Sequence, residues 1–582
     1  MSTLSVSATA TAVDRRLHAL GVETETAIAF MGCLIVVAAD AQGLSLIPLI
    51  SNLEKTYALT PAQASWTLSA PAVVGAGFVP TLARLGDRFG MRPLILASLL
   101  VGVLANLLCA VAPSFALLVT ARALLGVSAA LPLIYAVLRA RGTSERRTTR
   151  GVAFITLAAG VGVAVAYLLS GLIVQANGSV RTVFWALTGL SVLTVLAGCW
   201  ILPDAEIRSK DPIDWGGAVG VSVGLVGVVL AVTEGNAWGW SSPPVLTALV
   251  GGAAILILWV LYENKQRYPL VNVRRVWNRV AMPSFIVVAV CSTLAGFTNL
   301  AQATYTEMPT LTGYGLGLTV LHSAYALCVI SVGEIIGGIV AGPVISRFGP
   351  RMVMAIGSVI MTANFLVLAY AHSGIWHFIV WDAIWGLAFA FVYSAANSAY
   401  LQDATPPEAA MYVSANTIIM TGAAGIGPAL FTSILTSRTI PHTPIPDPVV
   451  FKYMWLYAAA ACAAITVIAL IVRRPRYIPG GVPAGTLETV GDIKAAPPVR
   501  PPPDPACSPA SARPRWGARS RRGVQNRARS EKCLKEFSCT DGGVCARPPH
   551  LYPGGQTPGA GHLAPRPTPA EAGIYSDVAR LP

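Results

Sequence analysis

The sequence predicts an all-α membrane protein of about 14 transmembrane helices. It is organised as two six-helix parallel-repeat halves with two inserted central helices. Three observations predict this. Of the 582 residues, 54% are hydrophobic and 12% charged, whereas about a quarter of a soluble domain is charged. Apolar stretches long enough to cross a bilayer recur through the first 472 positions. A short basic sequence between two of these stretches also comes back much later. Arg88-Phe89-Gly90-Met91-Arg92 is matched by Arg347-Phe348-Gly349-Pro350-Arg351, 259 positions further on.

The stretches are 27–50, 64–83, 93–113, 115–138, 151–175, 182–202, 216–234, 244–263, 282–303, 320–341, 352–371, 375–398, 410–436 and 452–472. Their connections are short and carry Gly, Pro and charges. The seventh and eighth are separated by the turn Asn236-Ala237-Trp238-Gly239-Trp240. With both termini inside, the inner connections hold most of the Lys and Arg. The outer ones hold Lys55, Arg181, Arg438 and Lys452. Basic residues resist translocation, so this asymmetry predicts cytoplasmic termini and an even helix count. The net charge of +14 then reflects topology and tail, and no nucleic-acid partner is expected. The first 26 residues are polar and do not resemble a cleavable signal.

The repeat can be followed into the helices. Ala121-Arg122-Ala123-Leu124-Leu125-Gly126 in helix 4 corresponds to Trp381-Asp382-Ala383-Ile384-Trp385-Gly386 in helix 12, 260 positions apart. In helix 5, Gly162, Ala166, Tyr167, Ser170 and Gly171 correspond to Ala423, Gly427, Pro428, Phe431 and Thr432 of helix 13, 261 positions apart. The predicted organisation is therefore a cytoplasmic segment 1–26, a first half 27–202, an inserted two-helix region 203–281, a second half 282–472 and a tail 473–582. The tail is rich in Pro, Gly, Ala and Arg without apolar periodicity, and disorder is expected there. Cys507, Cys533, Cys539 and Cys545 lack the paired spacing of zinc modules, so no metal is expected. Two similar helical halves in a bilayer usually make an alternating-access transporter.

Charges within membrane helices cost about 2.5–3.5 kcal/mol each on insertion scales and persist where they pair or line a wet cavity. Four qualify: Asp40, Arg122, Glu334 and Asp382. Desolvation and a neighbouring cation act on a buried carboxylate in opposite directions, and their balance decides whether it exchanges a proton near neutral pH. Asp40 is either a proton carrier or a polar contact to a helix broken near Gly43 and Pro48. Glu334 sits among Gly333, Gly337 and Gly338, so helix packing rivals a role in coupling. Arg122 and Asp382 either form a static ion pair between the halves or take turns with proton and substrate. Of the histidines, His322 and His372 are expected at solvated helix ends, and His377 is a candidate relay. Trp381, Trp385 and Phe389 recur at helical spacing on one face, with Asp382 at its edge. They form either packing or an apolar substrate pocket. Gly422 to Gly427 superficially resemble a nucleotide loop but lie inside a membrane helix. No ATPase or hydrolase motif stands in a plausible place, so no enzyme activity and no cofactor are expected.

These motifs resemble the major facilitator superfamily, and in particular its fourteen-helix drug:proton antiporter branch. The resemblance covers about residues 27–472. Its strongest carrier is Arg84-Leu85-Gly86-Asp87-Arg88-Phe89-Gly90-Met91-Arg92, similar to the family's signature between helices 2 and 3. The resemblance implies an inner gate at Asp87, Arg88, Gly90 and Arg92, with Arg347, Gly349 and Arg351 as the second copy. It also implies a proton-coupling role for Arg122. The family's helix 5 signature Gly-Pro-x-x-Gly-Gly is Ala166-Tyr167-Leu168-Leu169-Ser170-Gly171 here. Gly171 is kept, and Gly427-Pro428 of helix 13 is expected to supply the helix bend instead.

The expected function is proton-driven export of small amphipathic organic compounds by a monomer in the cell membrane. Its partners would be the lipid bilayer, the substrate and protons. Proton-coupled uptake or a dedicated metabolite transporter is the alternative within transport. A non-transporting receptor or scaffold is the alternative outside it.

Overall fold

The computed structural model describes residues 23–471 except 129, 142–144, 204–212, 267–268, 271–277, 403–405 and 444. For some helical positions, Asp87 among them, only the backbone is described. The tail with its four cysteines and residues 1–22 therefore lie outside the described residues. So do the basic residues Arg208, Lys210, Arg267, Arg274 and Arg275 of the inserted region.

Among the described residues, 14 helices are long and apolar enough to cross a membrane. In chain order they are α1 (Thr24–Leu44, resuming at Ile50–Tyr57), α2 (Pro61–Phe89), α3 (Met91–Val111), α4 (Phe115–Val127, resuming at Leu131–Arg141), α5 (Glu145–Gln175), α6 (Val180–Ile201) and α7 (Trp215–Trp238). Then follow α8 (Pro243–Glu263), α9 (Ala281–Glu307), α10 (Val320–Phe348), α11 (Pro350–Tyr370), α12 (Ile375–Gln402), α13 (Pro406–Leu435) and α14 (Pro448–Ile471). Each matches one stretch read from the sequence. Leu100, Leu104, Leu193, Leu196, Ile257, Leu258, Val359 and Leu366 remain exposed, as lipid-facing side chains would.

Helix ends follow local chemistry. Thr60 starts α2 with a reciprocal capping box: its backbone N–H donates to Gln63 Oε1 at 3.0 Å, and Gln63 N–H donates to its Oγ1 at 3.2 Å. Pro61 then takes the first turn, where no N–H is needed. The repeated basic sequence is not a loop. α2 runs to Phe89 and α3 starts at Met91, so the connection is Gly90 alone, at φ 100°. Its counterpart Gly349 joins α10 to α11 at φ 80°. A side chain at such a φ costs about 1–2 kcal/mol, which accounts for glycine in both copies.

Packing repeats with the sequence. α1 packs on α5, α2 on α4, and α3 on α6; α9 packs on α13, α10 on α12, and α11 on α14. Adding eight to each label of the first set gives the second. The two six-helix groups meet along α2–α13 and along α5–α10, and the same operation relates these two seams. The inserted α7 packs on α8 and lies against both α2 and α13. The turn at Ile47–Leu49, in the break of α1, rests on α9 and α10. The first group thus touches the second at the ends of the helices that the charge pattern assigns to the outside.

Candidate functional site

Arg122 is wholly buried on α4. Its Nε donates to the carbonyl of Thr67 on α2 at 2.8 Å, its Nη1 to that of Gln42 at 2.6 Å, and its Nη2 to that of Gly43 at 3.4 Å. Gln42 and Gly43 lie in the last turn before α1 breaks, where carbonyls have no intrahelical donor. A cation there also complements the negative end of the helix dipole. Ser170 of α5 donates to the carbonyl of Ser45 at 2.7 Å. The broken helix is therefore held by Arg122 and Ser170, and Asp40 is not spent on it.

Asp382 occupies the corresponding place in α12 and is 4% exposed. It accepts a hydrogen bond from Gln302 Nε2 of α9 at 2.6 Å. Gln302 follows Gln42 by the same 260 positions that separate Asp382 from Arg122. In each group, then, one polar residue of the fourth helix grips the first helix at the same Gln. One grip is a cation on carbonyls and the other a carboxylate on an amide. The static ion pair between Arg122 and Asp382 is not formed in this structure, because the hydrogen bonds of each run within its own group.

Asp40 of α1 packs against Gly162 of α5, where a Cβ would stand 2.9 Å from its Oδ2. That oxygen is buried without a hydrogen-bond partner. Glu334 of α10 is within electrostatic reach, so the two carboxylates repel one another when both are charged. The glycines beside Glu334 serve a different contact. A Cβ at Gly333 would lie 2.6 Å from the carbonyl of Ala383, and one at Gly337 would lie 2.7 Å from Ala390 Cβ, both on α12. Gly333 and Gly337 make the α10–α12 packing.

Gly171 and Gly427 serve close approach. A Cβ at Gly171 would meet Leu321 Cα of α10 at 2.9 Å, and one at Gly427 would meet the carbonyl of Thr293 on α9 at 2.5 Å. Pro428 lies inside the continuous helix α13. The aromatic stripe of α12 divides. Trp385 is 3% exposed, with its ring 4.8 Å from Phe365 of α11 and 5.4 Å from Phe389. Phe365 in turn stacks on Trp455 of α14 at 6.3 Å. Trp385 is therefore packed in the core in this structure. Phe389 stacks on Tyr393 at 5.6 Å, and Trp381 is half-buried. The histidines make local contacts: His322 to Thr319 Oγ1 at 2.7 Å, and His377 to the carbonyl of Gly374 at 3.2 Å.

At the turns around Gly90 and Gly349, Arg88 stands over the ring of Phe89 at 5.7 Å, and Arg347 over Phe348 at 5.4 Å. Arg92 donates to the carbonyl of Cys199 in the last turn of α6 at 3.1 Å. Arg351 does the same to Leu470 in the last turn of α14. These two arginines tie helices within a group. The side chain of Asp87 lies outside the described residues. Ser346, its counterpart, donates to the carbonyl of Pro343 on its own helix at 2.8 Å.

Sequence reading passed over three neutral residues: Gln302, Tyr167 as a hydrogen-bonding group, and Asn299. The Tyr167 hydroxyl accepts a hydrogen bond from Asn299 Nδ2 of α9 at 3.1 Å. Gln302 carried a signal, its register with Gln42, but uncharged side chains cost too little in a bilayer to draw notice.

The Major Facilitator Superfamily profile matches residues 30–333 and 329–525. Curated relatives include a major facilitator superfamily multidrug transporter, mfsC, of Aspergillus fumigatus. It is 23% identical over 350 residues, which cover 59% of this chain and 66% of that protein. The multidrug resistance protein B homolog of Mycobacterium tuberculosis is 24% identical, over 56% of this chain and 60% of its own length. The methyl viologen resistance protein SmvA of Salmonella typhimurium is 24% identical, over 70% of this chain and 81% of its own. The chain thus spans less than two thirds of the first two relatives. Among solved structures, the nucleoside transporter NupG superposes with a TM-score of 0.51 at 14% identity, over 77% of this chain and 98% of that one. That likeness concerns the fold.

Proposed function

The chain belongs to the major facilitator superfamily, and from that premise we propose that it exports amphipathic organic compounds, cations above all, in exchange for protons. The observation that carries this reading is the pair Asp40 and Glu334. Asp40 packs against Gly162 of α5, and α5 packs on α10, the helix of Glu334. The two carboxylates thus stand on helices of one seam, and Asp40 Oδ2 lacks a hydrogen-bond partner. A proton or an organic cation relieves their repulsion, so the two ligands compete for one charge deficit. Exchange of one for the other is antiport. The hydrogen bonds of Arg122 go to three backbone carbonyls and to neither carboxylate. The names of the multidrug and methyl viologen resistance relatives support the same substrate class.

Rocking of one six-helix group against the other would alternate access to the pair. The seams α2–α13 and α5–α10 would act as the bearing, and the turns at Gly90 and Gly349 would move with their helices. The protein would act in the cell membrane with both termini inside, as a monomer. The test is accumulation of a panel of fluorescent cations in cells lacking their own pumps, with and without a protonophore. Export predicts low accumulation that rises when the protonophore is added. Accumulation equal to that of empty cells would refute transport of these compounds. Protonophore-sensitive uptake would reverse the direction.

A further inference from the structure

The inserted helix α7 lies on one of the two related seams, packed on both α2 and α13. The two ends of the insertion are attached to different helix groups. At the Trp238 end of α7 the attachment is to the second group. Asn236 Nδ2 donates to the carbonyl of Ser433 and to Thr436 Oγ1, the latter at 3.0 Å. Ser433 stands in the last turn of α13, where carbonyls lack intrahelical donors. The amide is aimed by Trp240, whose Nε1 donates to Asn236 Oδ1 at 2.8 Å. The Trp240 ring lies against Gly235, where a Cβ would stand 2.7 Å from it. At the other end the attachment is to the first group. Arg84 of α2 donates to the carbonyl of Pro269, in the connection that follows α8. Nearby, a Cβ on Gly77 of α2 would collide with the carbonyl of Ala218 on α7, and Phe78 meets the Trp215 ring edge-on at 6.5 Å.

Where α2 begins and α13 ends, the two groups touch directly. Thr432 Oγ1 donates to the carbonyl of Pro61 at 3.5 Å, and a Cβ on Gly425 would lie 3.3 Å from Ala72 Cβ. Rocking that parts α2 from α13 at this end carries Asn236 away with α13, while Arg84 holds the far end of the insertion to α2. The 24 residues of α7 make a rod about 36 Å long, stiffened by its packing on α8. Such a rod cannot follow both groups, so one hydrogen-bonded end has to let go. We propose that the inserted pair is a brace across the α2–α13 seam that keeps the Pro61 end closed, with Asn236 and Arg84 as the positioning residues at its two ends. The inference rests on the rocking motion of the exporter reading, but on neither its substrate nor its proton.

The test is amide hydrogen exchange on the full chain in detergent, with no ligand added. It is read on the other seam, at the Gln175 end of α5 and the Val320 end of α10. Rocking opens both seams together, whereas local loosening around Asn236 does not reach that far. Asn236→Ala should speed exchange there about fivefold, the value of one hydrogen bond. Arg84→Met, which keeps the length and removes the donors, should do the same from the opposite end of the insertion. The double variant should be no faster than the faster single one, because a brace released at one end is already released. Independent contacts so far apart would instead multiply their effects. Should Asn236→Ala fail to fold, Trp240→Phe takes its place, since it leaves Asn236 intact and frees its amide; a rise of about twofold is expected. A single variant without effect on α5 and α10, a change confined to the α7–α8 turn and the end of α13, or multiplied effects in the double variant would each overturn the brace. Wild-type protein that moves neither ethidium nor protons in proteoliposomes would refute the exporter reading, and the exchange measurement would still decide the brace.

Discussion

The two six-helix groups place opposite charges at one structural position, and the difference shows what the position is for. In both, the fourth helix grips the first helix of its group at the same register, Gln42 and Gln302. In the first group that helix is broken, so bare carbonyls are presented and a guanidinium with several donors meets them: Arg122 on Gln42, Gly43 and Thr67. In the second group, α9 runs unbroken from Ala281 to Glu307. No carbonyls are freed there, the grip falls on the Gln302 side chain, and a carboxylate suffices. The position keeps a contact, and the charge follows from whether the helix is whole.

The comparison breaks most visibly at Arg122. Arg122→Leu leaves two or three buried carbonyls without donors, at about 1–3 kcal/mol for each unsatisfied group. Asp382→Asn keeps an oxygen for the Gln302 amide and should cost about 1 kcal/mol or less. Thermal unfolding in detergent should show a large loss for the first and a small one for the second. Equal losses would mean that the two grips do not differ in kind.

Asp40 has no counterpart in the second group, where position 300 is Leu. The first group would therefore contribute a carboxylate to the Asp40–Glu334 pair that its repeat does not supply in return. Asp40→Asn should insert normally and keep downhill exchange, yet lose uphill transport, because an amide cannot exchange a proton. Asp40→Glu should retain part of the activity. Glu334→Gln and Asp382→Asn are the controls. If Asp40→Asn pumps uphill at the wild-type rate while one of the controls fails, the proton assignment moves to that residue.

The turns at Gly90 and Gly349 differ in the one acidic residue of the motif. Ser346 stands where the first copy has Asp87, and its hydroxyl is spent on Pro343 of its own helix. Asp87→Asn should slow turnover severalfold at unchanged abundance, while Ser346→Ala should leave it near wild type. Initial export rates normalised to membrane protein would show this. Equal damage at both sites would argue for a symmetric gate.

The fold was legible in the sequence because a bilayer demands long apolar runs, and all fourteen runs became helices. The buried charges were legible for the same reason. What they touch was not. Of the two alternatives for Arg122 and Asp382, the static ion pair is not formed here, because the break in α1 supplies Arg122 with backbone acceptors. Gly90 and Gly349 read as parts of a loop, because a turn of one residue between two helices leaves almost no polar sequence. Trp385 read as a candidate pocket residue, since periodicity cannot say which face meets Phe365 of α11. Tyr167 drew notice only for the proline it replaces, and its hydrogen bond to Asn299 needed the two groups placed side by side.

The smallest expected effect lies outside both groups. The last described helix ends at Ile471, and the basic run Arg473, Arg474 and Arg476 follows at once. Such a run holds a helix end at the inner membrane face, so it should be retained. Beyond it the composition turns to Pro, Gly, Ala and Arg, which offers little apolar surface to offset the entropy of ordering. The family profile nevertheless reaches residue 525, which gives the tail a claim to a role that composition alone denies it. Truncation after Gly480 separates these views, because it keeps all fourteen helices and the basic run while removing most of the matched tail. Membrane abundance and ethidium export should both stay within about twofold of the full chain, since all fourteen helices are kept. Normal abundance with lost export would give the tail a part in the transport cycle, and lost abundance would make it part of the fold.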